Sequence, residues 1–465
     1  MSFLVYILFF GILGIIIRGS AEKRFMAFFA GTVLFPNVCL FIANPSISPQ
    51  HIILYLFLVV EFTKNPDEFK NCLFKNPLRF PMIIVATSYI GTALINGGIA
   101  SKDMYYGVRD IVDTYGYILA AFITGKKFFS EKFASQIFKF VCICCFFGIL
   151  EVAFNANYPY KFINLAFPKY NGLYDLNSSI SLSQDWRFRT CFTTKHPTAF
   201  GTLLMTLFLF YLPFLKKSNL VDTKLTKPQI VFILSLLGIN IILCGSRTAL
   251  VCTIIGALLY FIDKLSPVLK IFLWGILILS SSLIFAFMVA KFANSQGSSL
   301  DFRMKQLAFS VMTIAQSPIL GNGNKYTSQK IFQEDDNGAM RAQDSHGDDM
   351  GGLESVVFSL LIDRGFVGLF SYYFLLLWLL AIFYSNRQKL GKQIDAFEIL
   401  IAGTMFLSLS GSIGNSSAFL FIILGLYLGN IQQRKEAKLN DDDAFLEIPE
   451  NTDNSSKISH DEFAK

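Results

Sequence analysis

Charge is scarce in this chain. Asp, Glu, Lys and Arg make up 16% of its 465 residues against 53% hydrophobic ones, and the mean hydropathy is +0.50. That balance excludes an ordinary soluble domain of this length. The eight cysteines lie mostly inside apolar runs, Cys142, Cys144 and Cys145 together in one. Such placement suits small buried hydrophobes and argues against a disulfide framework or a thiolate metal site. No internal repeat stands out at a fixed period, which counts against architectures built from two related halves. The first apolar run, 3–17, lacks a basic stretch before it and a convincing small-residue cleavage site. It is expected to be a first membrane helix rather than a signal peptide.

What is present is hydrophobic length. The runs 197–215, 229–245, 271–290 and 366–384 are uncharged and have the roughly 20 residues that an α-helix needs to cross about 30 Å of hydrocarbon. Further spans fit at 3–17, 25–43, 52–62, 80–99, 105–125, 134–154, 249–262, 400–410 and 418–428. The expectation is an all-α polytopic membrane protein of about 12–13 transmembrane helices.

Alternate loops carry the basic residues, among them Arg18, Lys23 and Arg24; Lys64, Lys70, Lys75 and Arg79; Lys126, Lys127 and Lys132; Lys216 and Lys217; Arg387, Lys389 and Lys392; Arg434, Lys435 and Lys438. Short basic loops stay in the cytoplasm, so the long loops 155–196 and 291–352 are extracytoplasmic. The formal charge of +7 is mostly this inside bias and does not indicate a nucleic-acid partner. The membrane domain is expected to cover 1–433. After it, Asp441, Asp442 and Asp443 open a polar, acidic stretch with too little apolar surface to fold, read as a disordered cytoplasmic tail over 434–465.

Polar residues gather on the outer side. The run from Arg187 to Thr198 holds Arg187, Arg189, Lys195 and His196 directly before the helix that begins at Pro197. A guanidinium there can grip phosphate bidentately, although interfacial Arg and Trp also serve simply as headgroup anchors. Arg247, in Ser246-Arg247-Thr248, sits in a short outer turn against the inside bias; it is a functional candidate or a snorkelling side chain. Arg303 precedes an amphipathic segment that ends at Pro318-Ile319-Leu320-Gly321-Asn322-Gly323, where Gly321 and Gly323 permit close backbone approach to a ligand. The same loop carries Glu334, Asp335, Asp336, Asp344, Asp348, Asp349 and Glu354 with His346 among them; solvated loop charge and a divalent-cation site both fit. Within a span, Arg109, Asp110 and Asp113 either pair with each other or extend a polar cavity.

Taken in order, these motifs resemble the O-antigen ligase and O-antigen polymerase superfamily of bacterial envelope polysaccharide enzymes. Family members show an Arg, then a Gly, then Asn-Pro or His-Pro at a helix start, matched by Arg189 and His196-Pro197. Next comes Ser-Arg-Thr between two helices, matched by Ser246-Arg247-Thr248, and then an Arg ahead of a Pro-Leu-x-Gly-x-Gly turn, matched by Arg303 and Pro318 to Gly323. A last motif, Glu-x-Gly-x-x-Gly, is met by Asp363-Arg364-Gly365-Phe366-Val367-Gly368. Two positions depart from the pattern: Phe192 stands where the family often has Gly, and Glu354-Ser355 replaces the family's His-Asn.

The resemblance implies a GT-C-like membrane fold. It also implies an inverting transferase that needs no metal or other cofactor and acts on undecaprenyl-pyrophosphate-linked oligosaccharide at the outer face of the bacterial cytoplasmic (inner) membrane. Arg189, Arg247 and Arg303 would stabilise the pyrophosphate leaving group. Glu354, or His346, would take the proton of the acceptor hydroxyl. Gly321, Gly323 and Arg109 would contact substrate. Membrane lipid is the medium, and a chain-length regulator and a flippase are the protein partners such an enzyme works with. Polymerase is favoured over ligase because His-Asn is missing; a flippase or secondary transporter is the contrasting class.

Overall fold

Serine and proline decide where several helices begin. Ser20, Ser48 and Ser101 are N-caps whose hydroxyls accept the backbone N–H of Lys23, His51 and Met104, and Pro49, Pro66 and Pro197 open helices where no amide partner is needed. The computed structural model describes residues 2–35, 47–98, 101–127, 130–167, 189–194, 196–216, 225–262, 309–324, 326–327, 332–334, 340–342, 355–390, 396–410 and 415–446.

In chain order the helices are α1 (Ser2–Arg18), α2 (Ala21–Leu34), α3 (Pro49–Lys64), α4 (Pro66–Phe74), α5 (Arg79–Gly97), α6 (Lys102–Gly125), α7 (Ser130–Phe154), α8 (Tyr158–Asn164), α9 (Pro197–Tyr211), α10 (Lys227–Cys244), α11 (Arg247–Ile262), α12 (Val356–Leu390), α13 (Phe397–Ser410) and α14 (Asn415–Leu446). A 3-10 turn, Leu212–Lys216, follows α9, and the short strands Phe332–Glu334 and Met340–Ala342 pair antiparallel. The architecture is that of an all-α polytopic membrane protein. Among the described residues, five stretches are long and apolar enough to span a bilayer: Arg79–Gly97, Lys132–Phe154, Pro197–Leu215, Lys227–Cys244 and Val356–Arg387. Ser2–Arg18, Arg247–Ile262 and Phe397–Leu409 are shorter apolar helices. The run 271–290 lies outside the described residues.

The bundle is organised around α6 and α14, the most extensively packed pair. Their seam is glycine: a Cβ at Gly425 would lie 2.4 Å from the Ile118 carbonyl oxygen, one at Gly429 2.4 Å from that of Phe122, and one at Gly125 2.4 Å from that of Leu426. Without hydrophobic drive between helices in lipid, such close backbone approach is what joins them. Gly429→Val is expected to lower stability by about 1–3 kcal/mol through overpacking, read as a lower melting temperature of the detergent-purified protein. An unchanged melt would show that the seam does not govern the pair.

At the end of the bundle that carries the basic loops, Glu61 of α3 takes Arg24 Nε at 2.8 Å and Lys127 Nζ at 2.9 Å, tying α2, α3 and the end of α6 together. Lys126 reaches Glu436 at 2.9 Å. That pair bears on the tail. The boundary read at Arg434 falls inside a helix, because α14 continues to Leu446, held past Arg434 by Lys126 and by Gln432, whose amide also bonds Glu436. Residues 447–465 lie outside the described residues. The cysteine reading holds for Cys144 and Cys145, which are buried and free, and Cys142 is half-buried in the same helix.

Candidate active site

At the opposite end of the bundle, the chain from Arg189 to Thr194 is fixed from three sides. The side chain of Arg189 donates from Nε to the Cys244 carbonyl and from Nη2 to that of Gly245, both at 3.1 Å. Gly245 ends α10 in the left-handed region, with φ 64°, a conformation that turns its carbonyl away from the helix. From α7, Glu151 Oε2 accepts Thr190 Oγ1 at 2.9 Å, Cys191 N at 2.9 Å and Phe192 N at 3.1 Å. From α2, the Val33 carbonyl accepts Thr193 Oγ1 at 2.5 Å. His196 caps α9, its Nδ1 taking the Thr198 amide at 3.2 Å, so its ring serves the helix start.

Arg247 is the first residue of α11 and is exposed, just past the turn that Arg189 grips, with the Ser246 hydroxyl accepting the Ala249 amide. Two motifs far apart in sequence thus share one turn. The N-terminus of α11 adds the positive end of its dipole. Of the Arg189 guanidinium nitrogens, Nη1 has no acceptor among the described residues. The arrangement offers cationic donors to an anion.

A second cluster joins the Gly-x-Gly turn to the Asp363-Arg364-Gly365 bend. Asn322 N donates to the Ile362 carbonyl at 2.9 Å, Gly323 N to Asp363 at 3.0 Å, Phe366 N to Pro318 at 2.8 Å and Val367 N to Ile319 at 3.1 Å. The helix α12 breaks at Gly365, φ 61° and ψ −162°, to make this exchange. The close approach expected at Gly321 is therefore to protein backbone: a Cβ there would sit 2.3 Å from Arg364 N. Gly323 faces the Asp103 carboxylate, 3.2 Å from where its Cβ would be. Burial pushes the Asp103 carboxyl above its usual range, against the hydrogen bonds it receives from Asn324.

Arg364 is the centre of this cluster. Its Nε donates to Asn324 Oδ1 at 2.8 Å, its Nη2 to Asp110 Oδ2 at 2.9 Å, and its guanidinium lies 3.6 Å from the centroid of the Tyr89 ring. Asp363, also buried, accepts Thr327 N at 2.8 Å and Thr327 Oγ1 at 2.6 Å. One residue before Asp110, Arg109 donates from Nε to Asp113 Oδ2 at 2.9 Å and its Nη2 lies 3.5 Å from His51 Nδ1, while Tyr55 hydrogen-bonds Asp113. Of the two readings open for Arg109, Asp110 and Asp113, pairing within the group holds for Arg109 with Asp113, whereas Asp110 reaches across to Arg364. The α3 and Arg189 regions meet at the end of α2, whose adjacent carbonyls at Thr32 and Val33 take Gln50 and Thr193.

Of the residues singled out in the sequence, Arg189, Arg247, Arg109, Gly321 and Gly323 are described; Arg303, His346 and Glu354 lie outside the described residues, as do Arg187 and Lys195. Ser355, next to Glu354, is anchored by its hydroxyl to the Ser408 carbonyl at 2.6 Å. Sequence reasoning missed Glu151 and gave Arg364 no role. Each is an ionisable residue in an apolar span, a signal that makes it a candidate for a site or a buried structural pair.

Residues 231–373 match the family model described as O-antigen ligase. Over that stretch the chain is similar to the O-antigen polymerase and ligase superfamily. The matched stretch holds Arg247, the Gly-x-Gly turn and the Asp363 bend, and it ends inside α12; Arg189 and α1 to α9 precede it. No curated protein matches the chain. The match, with the apolar helices, supports a membrane-embedded, glycosyltransferase-like enzyme of O-antigen processing, polymerase or ligase.

Proposed function

We propose that the protein is a polymerase that joins undecaprenyl-pyrophosphate-linked repeat units into a surface polysaccharide at the outer face of the bacterial inner membrane. One observation carries the reading: Arg189 is bonded to the turn from which Arg247 emerges, so two cations from separate motifs meet at one turn. In the reaction the acceptor hydroxyl oxygen bonds to the anomeric carbon as the bond from that carbon to the pyrophosphate oxygen breaks. The electron pair leaves with the pyrophosphate, where fixed guanidinium donors oppose the developing charge. The hydroxyl proton passes to Glu354 or His346 acting as base. Attack opposite the leaving group inverts the anomeric centre, and Arg303 is a third donor to the pyrophosphate. The reaction as written requires no metal.

Complementation of a deletion strain tests this. Arg189→Ala, Arg247→Ala and Glu354→Gln are each expected to cut polymer yield about a hundredfold or more, the scale of removing one charge-stabilising group. Normal chain lengths from all three variants would end the catalytic proposal. A polymerase defect leaves single repeat units on the final acceptor; long chains retained on the carrier lipid would assign the protein to ligation instead, and undiminished polymer with accumulated precursor on the inner face would point to transport.

A further inference from the structure

The geometry points to Glu151 as the positioning residue for Arg189. Glu151 is 1% exposed, so it does not meet substrate, and all the hydrogen bonds it accepts from the described residues enter one oxygen. Those three donors belong to the three consecutive residues after Arg189, namely Thr190, Cys191 and Phe192. The last of these holds φ 51°, in the left-handed region that costs a bulky side chain free energy and persists only where surroundings over-determine it.

Two groups do so here. Glu151 takes the Phe192 amide, and Asn157 Nδ2 donates to the Phe192 carbonyl at 2.6 Å. Both come from one corner: α7 ends just after Glu151, Asn155 adopts φ 48°, and this reversal returns Asn157 to the same chain segment while its Oδ1 caps α8 through Tyr160 N at 2.9 Å. The backbone after Arg189 is thus held by α7 while its side chain is held by the end of α10. With Glu151 gone, nothing from α7 receives the Cys191 and Phe192 amides, Phe192 relaxes toward negative φ, and the Arg189 guanidinium leaves the turn beside Arg247. Oε1 of Glu151 has no partner among the described residues. A glutamine can therefore keep its oxygen at the Oε2 position with its amide nitrogen in place of Oε1.

The role in catalysis rests on the reading of Arg189 as a pyrophosphate ligand, and the experiment separates the two. Full-length protein in nanodiscs is assayed for amide hydrogen exchange over 189–194 and for binding of inorganic pyrophosphate, as wild type, Glu151→Ala, Glu151→Gln, Arg189→Ala and the Glu151→Ala/Arg189→Ala double variant. Glu151→Ala is expected to speed exchange at Cys191 and Phe192 and to weaken pyrophosphate binding, each about tenfold, the scale of one lost charge-assisted hydrogen bond. Glu151→Gln stays near wild type on both, and the double variant binds no worse than Arg189→Ala alone, because a residue that acts through Arg189 has nothing left to position. Unchanged exchange in Glu151→Ala, or a double-variant loss equal to the product of the single losses, overturns the proposal. Equal pyrophosphate binding by wild type and Arg189→Ala would remove the phosphate reading instead, and the exchange data would still decide whether Glu151 holds the segment. If Glu151→Ala is not recovered folded, Thr190→Val deletes one of the three donors at near-constant volume. A smaller loss in the same direction, vanishing in the Arg189→Ala background, supports the proposal, and a persisting loss refutes it.

Discussion

Replacing Arg364 with leucine is expected to destabilise the protein by about 3–5 kcal/mol, the cost of breaking a buried ion pair from one side. Arg364 is 4% exposed and binds three separate parts of the molecule: Asp110 of α6, Asn324 of the Gly-x-Gly turn and the face of Tyr89 on α5. Against a total stability of about 5–15 kcal/mol, that loss removes much of the folded population. Arg364→Lys is expected to rescue little, since an ammonium cannot lie flat on an aromatic ring while pointing two fixed donors at Asn324 and Asp110. Combining Arg364→Leu with Asp110→Asn should recover part of the loss, because no half-buried carboxylate then faces an apolar side chain. Yield of monodisperse protein on size exclusion, with the melting temperature in detergent, reads the effect. A melt for Arg364→Leu within a degree or two of wild type would mean that the hub is dispensable.

Gly321→Ala carries a comparable penalty by a different route. Its added methyl would lie 2.3 Å from Arg364 N and 2.4 Å from both C and O of Asp363, all backbone atoms that no rotamer change can move, at φ 71°. Gly365 is the reciprocal position, 2.4 Å from the Ile319 carbonyl oxygen at φ 61°. Left-handed strain of roughly 1–2 kcal/mol and the loss of two or more of the four cross-bonds at about 1 kcal/mol each give about 3–5 kcal/mol. Gly238→Ala is the control, since the nearest atom to a Cβ there is Phe208 Cε2 at 3.9 Å. Equal surface-polysaccharide yield and equal protein level for Gly321→Ala and Gly238→Ala would show that the turn tolerates separation from the bend.

The sequence displayed the class of fold well, because hydrophobic length and the placement of Lys and Arg are direct consequences of a bilayer. It displayed motifs as separate items along the chain. Arg189 and Arg247 could be seen as two cations outside two helices, but only the αL end of α10 at Gly245 shows that one grips the turn before the other. Gly321 and Gly323 had the right residue type for close approach, yet the partner was assigned to a ligand when at Gly321 it is the Asp363 and Arg364 backbone. Phe192 stood out only as a mismatch with the family's glycine; its positive φ shows why glycine is the easy residue there. Glu151 was legible in principle as the lone carboxylate of an apolar run. Its meaning was not, since its partners are some forty residues away.

The pairing of Asp110 with Arg364 also constrains how the protein can be made. The two residues are separated by 254 positions, so at about 5–20 residues per second the ribosome delivers the arginine on the order of tens of seconds after the aspartate. Arg109 and Asp113 neutralise each other within one helical turn as soon as α6 forms, but the bond from Arg364 to Asp110 has to wait, and so does the glycine seam of α6 that α14 covers. During that interval the glycine seam of α6 is expected to lack the helix that covers it. The slow step in biogenesis is thus expected to be the arrival of the C-terminal helices rather than the insertion of the first ones.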